Sequence, residues 1–139
     1  ENPMSFLSRT AATSLVTLAL TSPIKAESLD VQIGYLQWVP DQGPVLSNVI
    51  PEPEDAGLRG AELAINDNST TGKFLGQAYS LRSEVADSEE AAIAAFDAMR
   101  ESGIELFVVN APAQTLKTIT GKSGDNTLVF NAGAKDDAL

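Results

Sequence analysis

The chain has 139 residues, 43% of them hydrophobic, and a net charge of −10, with no cysteine and no histidine. That length and apolar share fit one globular domain rather than a disordered chain. The missing residue types exclude disulfides, thiol nucleophiles, histidine-based triads and nearly all zinc sites, while the acid excess sets the surface against phosphate backbones, so no nucleic-acid partner is expected.

The N-terminus reads as a leader. Met4-Ser5-Phe6-Leu7-Ser8-Arg9 carries one positive charge, Thr10 to Thr21 is a short apolar run, and Pro23-Ile24-Lys25-Ala26 ends on a small residue. A run this short does not span a bilayer and fits a secretory signal cleaved after Ala26. An N-terminal amphipathic helix is the other reading of the same pattern. Glu1-Asn2-Pro3 stand before the apparent start at Met4. Residues 1–26 are therefore set apart, and 27–139 are read as one α/β unit. Taking Glu1, Arg9 and Lys25 away with that segment leaves a net charge of −11. No polybasic stretch remains to anchor the unit on anionic lipid, and no membrane insertion is expected once the signal is gone.

Val31 to Trp38 is apolar and rich in β-branched and aromatic residues, which suits a buried parallel strand. Val39 to Pro53 then holds Pro40, Pro44, Pro51 and Pro53, which excludes a helix and stiffens the loop. Its apolar residues Val45, Leu46, Val49 and Ile50 argue that it is ordered. A helix is predicted from Ala56 to Asp67, opened by Pro53-Glu54-Asp55. Gly57, Gly60, Ala61 and Ala64 give it one face of small residues for close approach to a sheet, with Leu58 and Ile65 beside it. Asp67-Asn68-Ser69-Thr70-Thr71-Gly72 starts like a calcium loop, but Ala78 stands where the twelfth-position acid belongs, so a polar turn is predicted.

Tyr79 to Ala86 alternates as a half-buried strand, with Tyr79, Leu81, Ser83 and Val85 inward. Asp87 with Glu90 reads as the capping box of a helix whose apolar stripe is Ala91, Ala92, Ala95, Phe96 and Met99, ended by Gly103. Ile104 to Asn110 is a buried strand, and Ala113 to Thr120 a helix stopped by Gly121, with Leu116 and Ile119 inward. Thr127 to Asn131 is a further buried strand. The pattern β-α-β-α-β-α-β predicts an α/β fold, a parallel sheet with helices on both faces. The stop soon after the last strand reads as a truncation.

No Gly-x-Gly-x-x-Gly follows the first strand, and Gly72-Lys73 has neither the earlier glycine nor the following hydroxyl residue of a phosphate loop. Acids at Glu52, Glu54 and Asp55 crowd the first helix start, where a phosphate needs positive potential. No cofactor is expected. The segment Asn110-Ala111-Pro112-Ala113-Gln114-Thr115 differs. It joins a strand end to a helix start with no acid in the first turn, so free N–H groups there suit an anionic ligand group, although an ordinary strand-to-helix turn has the same geometry.

Several stretches carry a family resemblance. The order Val31-Gln32-Ile33-Gly34-Tyr35-Leu36, Gly57-Leu58-Arg59-Gly60-Ala61-Glu62-Leu63-Ala64-Ile65, Phe107-Val108-Val109 and Leu128-Val129-Phe130-Asn131-Ala132-Gly133-Ala134 resembles the amino-terminal lobe of type I periplasmic solute-binding proteins. These are the Leu/Ile/Val-binding-like receptors of ABC transporters. Tyr35-Leu36 through Val39-Pro40-Asp41, Leu46-Ser47-Asn48, Pro53-Glu54-Asp55-Ala56-Gly57-Leu58, and Asp67-Asn68 through Thr71-Gly72 are similar to the branch found beside PQQ-dependent alcohol dehydrogenase systems.

The resemblance implies a periplasmic, non-enzymatic protein that closes two α/β lobes on a small-molecule solute and delivers it to ABC transporter membrane subunits. It makes residues 27–139 the first lobe. Carried over, the ligand turns are Ala113 with Gln114 and Thr115, and Ala134 with Lys135; Tyr35 and Trp38 are further candidates, with Tyr35 reading equally well as core. Amino-acid binders of the family place hydroxyl residues where Ala113 and Lys135 stand here, which speaks against an amino-acid solute. The rival readings are a ligand-sensing lobe of a signalling receptor and an α/β enzyme using carboxylates such as Asp41, Glu52 or Asp87.

Overall fold

A computed structural model describes residues 27–41, 43–44, 50 and 52–135. The leader reading for 1–26 and the loop residues Val45, Leu46 and Val49 lie outside the described residues. The elements are β1 (Leu29–Gln37), α1 (Ala56–Leu75), β2 (Gln77–Val85), α2 (Glu89–Glu101), β3 (Leu106–Asn110), α3 (Ala113–Lys122) and β4 (Leu128–Asn131). The sheet order is β2-β1-β3-β4, and every neighbouring pair is parallel. The expected α/β architecture is therefore the observed one.

Strand alternation sends successive side chains to opposite faces. Leu36 points to the face covered by α2 and α3. There it joins Ala92, Phe96, Met99, Ile104, Phe107, Val109, Leu116 and Ile119 in one buried cluster. The rings of Phe96 and Phe107 pack tilted at 55° with centroids 4.7 Å apart, a geometry aromatic quadrupoles favour. Tyr35 points to the other face, under the start of α1. Helices thus lie on both faces, and the stripe read from α2 is core.

Helix α1 runs well past the predicted turn at Asp67–Gly72. The polar residues that suggested a loop are satisfied in place. Asn68 Nδ2 donates to the Ala64 carbonyl at 2.7 Å, Thr70 Oγ1 to the Asn66 carbonyl at 3.2 Å, and Ser69 Oγ to the Tyr79 carbonyl at 3.4 Å. Gly72 is buried where a Cβ would stand 2.7 Å from the Gln77 carbonyl. The helix ends at Gly76, whose φ of 68° is left-handed and whose N–H bonds the Gly72 carbonyl. The small-residue face is used only in part: a Cβ on Gly57 would strike Tyr35, whereas Gly60 faces open space.

Four smaller expectations are corrected. Ser88, not Asp87, caps α2: its backbone is extended and its Oγ accepts from Ala91 N at 3.1 Å. Gly121 does not stop α3, which continues to Lys122. In β2, Tyr79 and Leu81 are half-buried but Ser83 and Val85 are exposed. Helix α1 starts over Tyr35 and ends over Tyr79, so it crosses the face obliquely and leaves the far end of β2 bare. Finally β4 is an outer strand; Val129 packs on the core, while Leu128 and Phe130 are 59% and 56% exposed.

Candidate functional site

In a parallel sheet all the carboxyl ends share one edge. A crevice opens where two adjacent strands send their helices to opposite faces. Here that point lies between β1, which leads to α1 on one face, and β3, which leads to α3 on the other. Gln37 and Asn110 are the last residues of those strands and are register partners. They form the floor of the candidate site.

The floor is a chain of polar groups. Tyr35 Oη donates to Gln37 Oε1 at 2.6 Å, and Asn110 Nδ2 approaches the same oxygen at 3.5 Å. Gln37 Nε2 donates to the Glu54 carbonyl at 2.8 Å, just before α1. Tyr35 and Gln37 are buried, so each hydrogen bond relieves a desolvation cost. Burial pushes the Tyr35 phenol above its ordinary pKa, with the Asn110 amide opposing. Gly57 lets α1 sit directly on the Tyr35 hydroxyl.

The walls are the turns after β1, β3 and β4. Trp38 N donates to the Asn110 carbonyl at 2.9 Å, and its side chain is half-buried against the core. Pro112 precedes α3 without a side-chain cap, and the first turn of α3 carries no acid. The N–H groups of Ala113, Gln114 and Thr115 therefore have no partner within the helix. After β4, Ala132 N bonds the Val109 carbonyl at 2.8 Å. Gly133 packs on the Asn110 side chain, with a Cβ position 3.3 Å from Ala111 N. The turns after β3 and β4 are thus side by side.

The candidate residues divide. Ala113 is half-buried and Gln114 exposed, and Lys135 is exposed on the adjoining turn after β4. Thr115 is 1% exposed and donates to Glu89 Oε1 on α2 at 3.0 Å, so its hydroxyl belongs to the helix packing. Tyr35, also 1% exposed, underlies the crevice rather than lining it. Ala134 packs on the core, and its N–H is taken by Asn131 Oδ1 at 2.8 Å, as is that of Gly133 at 3.1 Å. The N–H groups of Gly133 and Ala134 are therefore engaged, whereas the first-turn N–H groups of α3 have no partner within the helix.

Gln37 is absent from the sequence-derived site, and Asn110 enters it only as the start of the strand-to-helix segment. The signal for them was an amide residue closing each of two apolar strands, at the one level where a side chain leaves the core. A depression of about 430 Å³ lined by Arg100, Gly103, Glu105, Asp125 and Asn126 lies at the opposite, amino-terminal edge. Among the described residues no three acidic side chains converge on a metal-sized space, and no helix is long and apolar enough to cross a membrane. No protein-family model matches the chain, and no curated protein matches it.

Proposed function

We propose that the chain is the first lobe of a periplasmic solute-binding component of an ABC transporter, of the branched-chain amino-acid receptor type and the branch allied to PQQ-dependent alcohol dehydrogenase systems. The observation that carries this reading is the crevice between β1 and β3, where the first-turn N–H groups of α3 have no side-chain cap and the turn after β4, which leads to Lys135, lies alongside. The α3 turn offers positive potential to a carboxylate or a similarly polar group. A second lobe closes over it by hinge motion and supplies the remaining contacts.

The test is isothermal titration with free amino acids, short-chain alcohols and the corresponding carboxylic acids. It is run on residues 27–139 and on a longer product of the same reading frame carrying a second α/β lobe. The longer protein binds one of these classes at micromolar concentration, and Lys135→Glu weakens that binding; residues 27–139 alone bind none of them. Micromolar binding by residues 27–139 alone overturns the two-lobe requirement, and turnover of any of these compounds overturns the transport reading.

A further inference from the structure

We infer that Gln37 is a positioning residue that holds the loops of the carboxyl edge in one register. Its side chain ties the start of α1 through Glu54 and meets the end of β3 through Asn110. Its backbone carbonyl accepts from Ala86 N at 2.7 Å, at the turn after β2. Asn110 in turn seats Gly133 of the turn after β4, and its carbonyl holds Trp38 of the turn after β1. One residue on the central strand is therefore linked, directly or through one neighbour, to every turn at that edge.

Burial makes this link exacting. Gln37 is 6% exposed, and its Oε1 serves both Tyr35 and Asn110 while its Nε2 serves Glu54. A glutamine is one of the few side chains that can accept and donate at once from a single planar head. Leucine would fill the space and serve none of the three partners. The inference rests on the proposed function only for its purpose, which is to move or hold the mouth as a unit; the linkage stands on hydrogen bonds within this chain.

Amide hydrogen exchange followed by two-dimensional NMR, with no solute present, tests it. In Gln37→Leu the amides of Arg59, Trp38 and Gly133 exchange about tenfold faster, the scale set by losing roughly one buried hydrogen bond. The amides of Phe96 and Ile119, on the other face, keep their rates. Tyr35→Phe, which removes one hydroxyl and little volume, gives a smaller rise at the same three positions and covers the case in which Gln37→Leu fails to fold. A uniform rise at all five amides, or a response at Arg59 without one at Gly133, overturns the inference. Because no ligand enters the measurement, such a failure leaves the solute reading to its own titration.

Discussion

The two faces of the sheet are built on different principles. On the α2–α3 face, Phe96, Met99, Phe107, Ile119 and Leu36 are sealed from water and hold one another by apolar burial alone. On the α1 face, the deepest residues are Tyr35 and Gln37, which are joined by hydrogen bonds. Helix α1 covers β1 and the start of β2, leaving Leu128 and Phe130 of β4 largely open. The first face stabilises the fold whatever its exact partners. The second depends on particular atoms meeting at the crevice floor. Stability is thus assigned mainly to one side of the four-stranded layer and the crevice floor to the other.

The sharpest way to break this contrast is to truncate one phenylalanine on each side. Phe96→Ala should lower stability by about 3–5 kcal/mol, the range for a fully buried aromatic. Phe130→Ala should change it by no more than about 0.5 kcal/mol, as expected of an exposed position. Urea unfolding followed by circular dichroism measures both, and equal losses would remove the asymmetry.

Two glycines of α1 sharpen the comparison next. Gly57→Ala forces a methyl group against the Tyr35 hydroxyl and should cost about 1–3 kcal/mol, the range for overpacking. Gly60→Ala meets nothing within 4 Å and should stabilise by up to about 1 kcal/mol through helix propensity. The same unfolding assay ranks them, and a loss for Gly60→Ala would mean that the small-residue face is packed after all.

The smallest effect is one of pH. The folded state holds Tyr35 protonated to a higher pH than the unfolded chain does. Its contribution is therefore intact below the ordinary phenol value of about 10 and is lost as pH rises through the raised folded value. The urea midpoint of the parent chain should fall faster above that pH than the midpoint of Tyr35→Phe. Parallel decline in the two proteins would show that Tyr35 titrates as in water.

Much of this architecture is legible in the residues. Strand and helix order follow from apolar runs and the 3.6-residue stripe at Ala92, Phe96 and Met99, because those patterns report burial directly. Asn68, Ser69 and Thr70 misled because their loop-forming tendency is local, whereas Gly72 meeting the Gln77 carbonyl is a contact between elements. Thr115 misled in the same way: its place in the chain is the mouth, but its angular position on α3 turns it to Glu89. The Gln37–Asn110 pairing needs the strand order, which no local pattern encodes.

The outermost strands β2 and β4 leave rows of main-chain donors and acceptors with no neighbouring strand among the described residues. On β4 that open rim runs beside Leu128 and Phe130. Mutual repulsion between chains of net charge −10 keeps such rims apart in dilute buffer. Salt shortens the reach of that repulsion to about 8 Å at physiological ionic strength and about 3 Å at 1 M. Added salt should therefore favour strand-to-strand association at these rims, an outcome that light scattering across ionic strength checks.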